Sequence, residues 1–184
     1  MKKILFLFVF IIQSAQAAFL IQGTSSFTSS TDSKTSTSLS DISNHFFVGA
    51  SIGSNQQTFI GQNITSFSGQ VKKTNTDKIN TLELGPKVIY FFSEDHVFYT
   101  SLGWNPYAKG KRSVSGVNSE ISGWAYLASI GAELKINRNF HIGASFNYHS
   151  LKLTKSISDN NVASTTNDTS TSIMPMINFS FHFR

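Results

Sequence analysis

Two pairs of opposite charges in the chain could form ion pairs or carry protons. Glu83 and Lys87 are four residues apart, and Glu133 and Lys135 are two apart. In a β-strand, residues separated by an even number of positions point to the same face. Because buried charges are costly unless they are paired, we expect these four side chains to form a salt-bridged network in the interior. Such a network would fill the interior; the alternative is an ion relay or a gate.

The histidines are spaced too widely to predict a metal site. His141 and His149 would point to the same face of a strand, but they are eight residues apart, which is about 26 Å in an extended strand. Two side chains at that distance cannot bind one ion. His182 could approach His141 only at one end of the protein. We therefore expect no metal ion.

The residue inventory also argues against catalysis. The chain has no Cys, which excludes disulfides, thiolate zinc sites and a cysteine nucleophile. His149 and Ser150 are neighbours, so in a strand they face opposite sides and do not form a nucleophile–base pair. We expect no catalytic residues and no cofactor.

Residues 1–17 have the three parts of a secretory signal peptide: a basic start (Lys2, Lys3), an apolar run (4–12) and a small-residue A-x-A site (15–17). As a helix, the apolar run reaches about 14 Å, less than half of a bilayer core. We predict cleavage after residue 17 and one domain at 18–184. Of the 15 basic side chains, 13 then remain against 10 acidic ones. Because these basic residues are scattered, we expect no nucleic-acid binding.

The rest of the chain alternates apolar and polar residues with a period of two, which is typical of β-strands. We predict eight strands, at 19–28, 34–42, 46–53, 82–92, 98–105, 123–135, 140–149 and 173–183. The strand at 34–42 is assigned mainly because a closed barrel of this kind needs an even number of strands. Short connections are predicted at 41–44, 93–96 and 137–139, and long ones at 29–32, 60–78, 109–119 and 156–168.

The composition indicates which face of these strands meets water. Only 14% of residues are charged, against about 25% in an average soluble domain. The polar faces consist mainly of Gly, Ser, Asn and Ala, which suit a narrow interior better than a soluble surface. The apolar faces end in aromatic residues that suit membrane interfaces: Phe92, Phe98, Trp104, Trp124, Tyr148 and Phe183. We predict an all-β, eight-stranded antiparallel up-and-down transmembrane barrel rather than a soluble barrel of the lipocalin type.

Four stretches carry a resemblance to a known family: HFFVGASIGSN, LELGPKVIYFFSEDHVFYTSLGW, SIGAELKINRNFHIGASFNY and INFSFHF. Their hairpin pattern resembles that of small bacterial outer-membrane β-barrels of the OmpA/OmpX-like group, over residues 44–184. Such families commonly end on an aromatic residue that the barrel-assembly machinery reads, whereas here Arg184 follows Phe183. The resemblance implies a monomer in the outer membrane of a Gram-negative bacterium, with a role in membrane integrity or surface contact.

Five basic residues fall in the predicted outer loops: Lys72, Lys73, Lys109, Lys111 and Arg112. They could form a solvated loop surface, or they could contact lipopolysaccharide phosphates. The remaining loop residues are polar and could serve adhesion or shielding. The alternative function is a conduit for small or hydrophobic solutes of the OmpW type, which predicts an apolar pocket near the outer mouth.

Overall fold

The computed structural model describes residues 18–32, 37–53, 55–158 and 163–183, and strands account for most of them. No helix among these residues is long and apolar enough to cross a membrane. The strands are β1 (Phe19–Asp32), β2 (Thr37–Ile52), β3 (Thr58–Lys72), β4 (Thr76–Phe91), β5 (Phe98–Val114), β6 (Val117–Lys135), β7 (Phe140–Ser158), the short β8 (Ala163–Thr165) and β9 (Thr169–Phe183).

Eight of these strands close into an antiparallel ring. Neighbours in sequence pair from β1 to β7, β9 pairs with both β7 and β1, and β8 adds a three-residue pairing to β7. Phe19 lies opposite Phe183 in the seam between the first and last strands. We call the end of the barrel that holds these two residues the termini end, and the opposite end the far end. The predicted all-β, up-and-down barrel of eight strands is confirmed.

Two predicted strands, at 34–42 and 46–53, are wrong as separate strands: both fall in the single strand β2, and β3 lies where a loop is predicted. The turn expected at 41–44 lies inside β2, which continues through it with Asp41, Ser43 and His45 facing inward. The loop expected at 60–78 contains β3 and the start of β4. Both segments are rich in turn-forming residues, so their composition predicts connections rather than strands.

The predicted short turns at 93–96 and 137–139 are confirmed, and they connect strands at the termini end. At the far end, β5 and β6 continue to Val114 and Val117, so most of the loop predicted at 109–119 is strand. Likewise β7 runs to Ser158 within the loop predicted at 156–168. The predicted signal peptide at 1–17 and the final Arg184 lie outside the described residues.

The apolar faces of the ring point outward. On β9, Ile173, Ile177 and Phe181 are exposed while Met174, Asn178 and His182 between them are buried. The same alternation runs through the other long strands, so the outer wall carries a continuous belt of Phe, Ile, Leu, Val, Tyr and Trp. An exposed apolar surface of this extent indicates contact with a lipid bilayer rather than water.

One irregularity in the wall depends on a glycine. The pairing of β4 with β5 shifts between Leu84 and Lys87, where β5 has an extra residue. At this bulge Gly85 packs so closely against β5 that a methyl group on its Cα would overlap the carbonyl oxygen of Trp104. Only glycine fits this approach of two backbones without displacement.

The lumen is filled by side chains in layers. At the termini end an apolar group from the first five strands forms the termini plug: Ala18, Leu20, Phe47, Phe59, Ile89, Phe91 and Tyr99. Toward the far end a second apolar group forms the far plug: Phe67, Ala108, Ile121, Ala125, Leu151, Leu153 and Met174. Buried polar and charged side chains occupy the rest of the lumen and contact both plugs, and we call them the polar layer.

Candidate functional site

Glu83 on β4 is the acidic centre of the polar layer on the far side. It is fully buried, and the Nε2 atom of His149 on β7 lies 3.0 Å from Oε1 and 3.1 Å from Oε2. Since an ionised carboxylate only accepts hydrogen bonds, the ring donates through this nitrogen. Thr81 and Asn105 donate to the same carboxylate at 2.9 and 3.1 Å. Three donors from three strands thus compensate for the burial of one charge.

Glu133 on β6 is the second buried carboxylate and lies toward the termini end. Gln22 on β1 donates to Oε1 at 2.7 Å, and Ser180 on β9 donates to Oε2 at 2.6 Å. The Nε2 atom of His182 lies 3.4 Å from Oε2, and the Nδ1 atom of His141 lies 4.0 Å from it. Side chains from three other strands therefore converge on this carboxylate.

Three histidine rings are stacked beside Glu133. The rings of His141 and His182 have centroids 4.1 Å apart at an interplanar angle of 23°. His96, from the turn between β4 and β5, places its Nδ1 atom 3.0 Å from Nδ1 of His182. His96 has a positive φ of 54°, an uncommon conformation for a residue with a side chain, and its ring stacks on Phe91 of the termini plug. The histidine stack thus packs directly against the termini plug.

The two buried carboxylates have partners other than the lysines of the predicted network. Glu83, Lys87 and Glu133 are buried in the lumen as expected. The carboxylates pair with histidines, whereas Lys87 lies 5.8 Å from the ring centroid of Phe47. Lys135 is a correction: it has the parity of Glu133 but is exposed, because β6 ends at this residue and the lumen does not extend past it.

The histidines are not predicted from the sequence as partners of the carboxylates. Spacing along one strand relates His141 only to His149, whereas the observed pairs cross the barrel from β7 to β4 and from β9 to β6. The available signal was parity: these histidines alternate with exposed apolar residues on their strands, so they had to point into the lumen. Which carboxylate each one meets depends on the stagger of the closed ring.

The basic residues at the far end divide into two groups. Arg112 donates through Nε and Nη2 to the two carboxylate oxygens of Asp77, and through Nη1 to Asp168 at 2.6 Å. The hydrogen bonds that it donates to Asp77 raise the pKa of this guanidinium above its ordinary value. Arg112 therefore ties β4 and β5 to the segment before β9.

The four predicted lysines are exposed instead. Lys72 and Lys73 lie at the tip of the β3–β4 turn, and Lys109 and Lys111 lie on the outside of β5. The Nζ atom of Lys109 lies 5.3 Å from the ring centroid of Tyr107, at the edge of the apolar belt. On β7, Lys152 has the same arrangement over Trp124 at 5.6 Å. Lys152 is not among the predicted residues. It lies opposite Trp124 in the pairing of β6 with β7, and the alternation along β7 points its side chain outward.

The predicted interfacial aromatics lie on the outer wall. Phe92, Phe98 and Phe183 are exposed at the termini end. Trp104 and Tyr148 are exposed farther along their strands, with 50% and 43% of their surface accessible. Trp124 is half-buried, because it packs edge-on against Tyr126 and beneath Lys152.

Solved structures include similar barrels. Neisserial surface protein A superposes with a TM-score of 0.50 at 14% identity, covering 91% of this chain and 96% of that protein. The translocator domain of the autotransporter NalP from Neisseria meningitidis gives a TM-score of 0.45 at 7% identity, covering 100% and 94%. The beta domain of the Bordetella autotransporter BrkA gives 0.42 at 8% identity, covering 91% and 99%. At these identities the likeness concerns the fold alone.

The sequence itself identifies the family. None of the curated proteins matches the chain. The outer membrane protein beta-barrel domain, by contrast, matches over residues 4–180, which is nearly the whole chain. The closed ring of eight strands and its exposed apolar belt agree with that match. The chain therefore belongs to the outer-membrane β-barrel protein family.

Proposed function

We propose that this outer-membrane β-barrel has a structural or surface-interaction role: it maintains the membrane or presents its far-end loops for adhesion or shielding, and it catalyses no reaction. The observation that carries the proposal is the filled lumen. Two apolar plugs and a hydrogen-bonded polar layer together occupy the interior, and eight strands enclose a space that side chains fill. In this proposal the chain is exported by a cleaved signal peptide, inserted by the barrel-assembly machinery and active as a monomer without nucleic acid.

Planar-bilayer recordings test the closed lumen. The purified barrel should give no steady conductance that an added solute blocks. A matched variant in which Leu153 and Met174 are replaced by Gly removes bulk from the far plug, where both side chains are buried. The proposal predicts a silent wild type whatever this variant does, and a steady, solute-blockable current in the wild type would contradict it.

Orientation needs a separate measurement. Family members place their short turns in the periplasm and their longer loops outside. At the far end the turns between strands are short as well, but β5, β6 and β7 continue past the apolar belt, so the hairpins there project farther from the membrane. The proposal therefore puts the far end, with its projecting hairpins, outside the cell. Protease added to whole cells should cleave at the far end, for example at Lys73 or Lys155, and spare Lys135 and Arg138 at the termini end. Cleavage at the termini end alone would reverse the assignment.

The far end also supports a lipopolysaccharide contact. With an axial rise of about 2.5 Å per residue in a tilted strand, Lys109 lies about 27 Å from Phe98, just beyond an apolar band about 25 Å tall. Its ammonium group therefore lies at the depth of lipid phosphates. Lys111 and Lys152 extend this basic collar, whereas Lys72 and Lys73 lie farther out. Arg112 already binds two carboxylates, so it is the least available of the predicted contacts.

Charge reversal tests this contact. The variant Lys109→Glu/Lys111→Glu/Lys152→Glu should copurify with less lipopolysaccharide phosphate per barrel than the wild type. Lys135→Glu is the matched control, because this exposed lysine lies at the termini end. Charge reversal of the five residues predicted from the sequence should give a similar loss of copurified phosphate. These residues are Lys72, Lys73, Lys109, Lys111 and Arg112. Unchanged phosphate content in both variants would remove the contact.

A second function has one observation in its favour. The far plug places apolar side chains at the outer mouth, where a conduit of the OmpW type needs an apolar pocket. In the structure these side chains fill the space by contacting one another. Uptake of a hydrophobic dye by cells that express the barrel separates the two functions: a conduit accelerates uptake, and a closed structural barrel does not.

A further inference from the structure

We infer that Glu133, His141 and His182 bind one divalent transition-metal ion of the zinc type at the termini end of the lumen. The three side chains come from β6, β7 and β9 and are all buried. Each offers one ligand atom, and these atoms lie within 4.8 Å of one another. An ion there would join three strands at the side of the ring where β9 closes it.

The distances are close to those of a metal centre. Ligand atoms about 2.0–2.1 Å from a tetrahedral zinc ion are about 3.3 Å from one another. The Oε2 atom of Glu133 is 3.4 Å from Nε2 of His182 and 4.0 Å from Nδ1 of His141. In the stacked arrangement the in-plane lone pairs of His141 and His182 do not meet at one point, so ion binding requires the His141 ring to rotate out of the stack and bring its nitrogen nearer to the carboxylate.

Surrounding groups orient two of the three ligands. Gln22 and Ser180 hold the Glu133 carboxylate from both sides with hydrogen bonds of 2.7 and 2.6 Å. His96 contacts the Nδ1 atom of His182. When Nδ1 of His182 donates its proton to His96, the Nε2 lone pair points toward Glu133, as a metal ligand requires. Outer partners of this kind accompany ligating histidines and carboxylates in metal sites.

The ligand types select the class of ion. Two imidazoles and one carboxylate suit Zn²⁺ and its neighbours Co²⁺ and Ni²⁺, whereas Mg²⁺ and Ca²⁺ prefer oxygen ligands only. Three protein ligands leave a fourth position for water. Phe59 and Phe91 of the termini plug cover one side of the histidine stack. This apolar surface limits access of water from that side.

A cleft lies close to the site at the termini end. A cleft of about 340 Å³ is lined by Lys135, Arg138, Asn139 and Phe183. Asn139 also accepts a hydrogen bond from the backbone N–H of His182 at 2.8 Å, so the cleft lies directly beside a ligand. The two basic side chains at its mouth should slow the entry of a cation without changing the ligand set.

Cobalt binding tests the inference on the full chain without a polyhistidine tag. The folded barrel in detergent, freed of metal by a chelator, is titrated with Co²⁺ and then with Zn²⁺. We expect one Co²⁺ per chain, the visible absorption of a four- or five-coordinate ion, and displacement by Zn²⁺. Saturating Zn²⁺ should also raise the urea midpoint of unfolding, because the ion binds the folded state.

Two pairs of variants locate the site. Glu133→Gln and His141→Gln should each weaken Co²⁺ binding by at least about 100-fold. Glu83→Gln and His149→Gln are the controls, since they alter the other buried carboxylate–histidine pair and should bind as the wild type does. The altered mobility of unboiled protein on gels shows which variants have folded.

Several results would overturn the inference. A wild type that shows no Co²⁺ absorption and no shift of its urea midpoint with Zn²⁺ would rule out the site. This measurement does not depend on whether any variant folds. Binding that survives both Glu133→Gln and His141→Gln would place the ion elsewhere.

Discussion

Replacing Glu83 by alanine tests how much the polar layer stabilises the barrel. Its buried carboxylate accepts hydrogen bonds from His149, Thr81 and Asn105. The variant removes this acceptor while the donors remain buried in the lumen. Breaking a buried charged pair by removing one partner costs about 3–5 kcal/mol, because the group left behind keeps its desolvation cost. We therefore expect the free energy of unfolding to fall by about 4 kcal/mol.

Urea unfolding of the purified barrel in detergent measures this loss. Tryptophan fluorescence and the gel mobility of unboiled samples report the folded fraction. With a urea dependence of about 2 kcal/mol per M, the midpoint should fall by about 2 M. Glu120→Ala is the matched control, because this glutamate is exposed near the far end of β6. Its midpoint should move by no more than about 0.3 M, as for other surface substitutions.

Two further variants keep the test decisive when the alanine variant does not fold. Glu83→Gln retains one acceptor oxygen but turns an NH₂ group toward the buried donors. Its loss of unfolding free energy should therefore lie between those of Glu83→Ala and Glu120→Ala. A cycle with His149→Gln should show a coupling of about 1–3 kcal/mol between the two side chains. If Glu83→Ala behaves like Glu120→Ala, the polar layer adds nothing to stability and the reasoning is refuted.

Three other substitutions test separate features. Gly85→Ala should destabilise the barrel by about 1–3 kcal/mol, because the methyl group overlaps β5; Gly23→Ala, where the space around the Cα is open, should not, and equal midpoints would contradict the close approach. Tyr99→Phe leaves the buried Asn178 amide without its acceptor at 2.7 Å and should cost about 1–3 kcal/mol, whereas Tyr126→Phe on the outer wall should cost almost nothing. Arg112→Gln should release the segment that Asp168 anchors and speed trypsin cleavage at Lys155, while Lys111→Gln should leave the cleavage rate unchanged.

The sequence predicts the fold where the membrane imposes alternation, and it fails where the barrel extends beyond the membrane. On β9, apolar side chains occupy every second position, and the predicted strand at 173–183 agrees with the observed one. On β3, Gln62 and Ser66 interrupt the outward apolar residues within the belt, which weakens the alternation there too. Toward the far ends of β5 and β6 the alternation stops altogether. Strand segments beyond the bilayer face water on their outer side, and nothing there selects apolar residues.

The candidate site was predictable in part for a similar physical reason. Parity along a strand predicts that Glu83 and Glu133 point inward, and they do. Alternation along a strand does not show where the strand ends, which is why the exposure of Lys135 at the end of β6 is not predicted. It also does not show which side chains meet across the lumen. The meeting of Glu133 with His182 depends on how β9 is staggered relative to β6 in the closed ring. Contacts of that kind are set by the whole barrel rather than by a local pattern.

The hydrogen bonds of the polar layer have a consequence for folding kinetics. Gln22 and Glu133 are 111 residues apart in sequence, Tyr99 and Asn178 are 79 apart, and Glu83 and His149 are 66 apart. Contacts at such separations form only after most of the chain has been ordered, which slows folding. Because β9 supplies Asn178 and Ser180, a barrel that lacks its last strand leaves acceptors and donors unmatched on several earlier strands. Ring closure and desolvation of the lumen should therefore be a single cooperative event, late in folding, with no stable open-sheet intermediate before it.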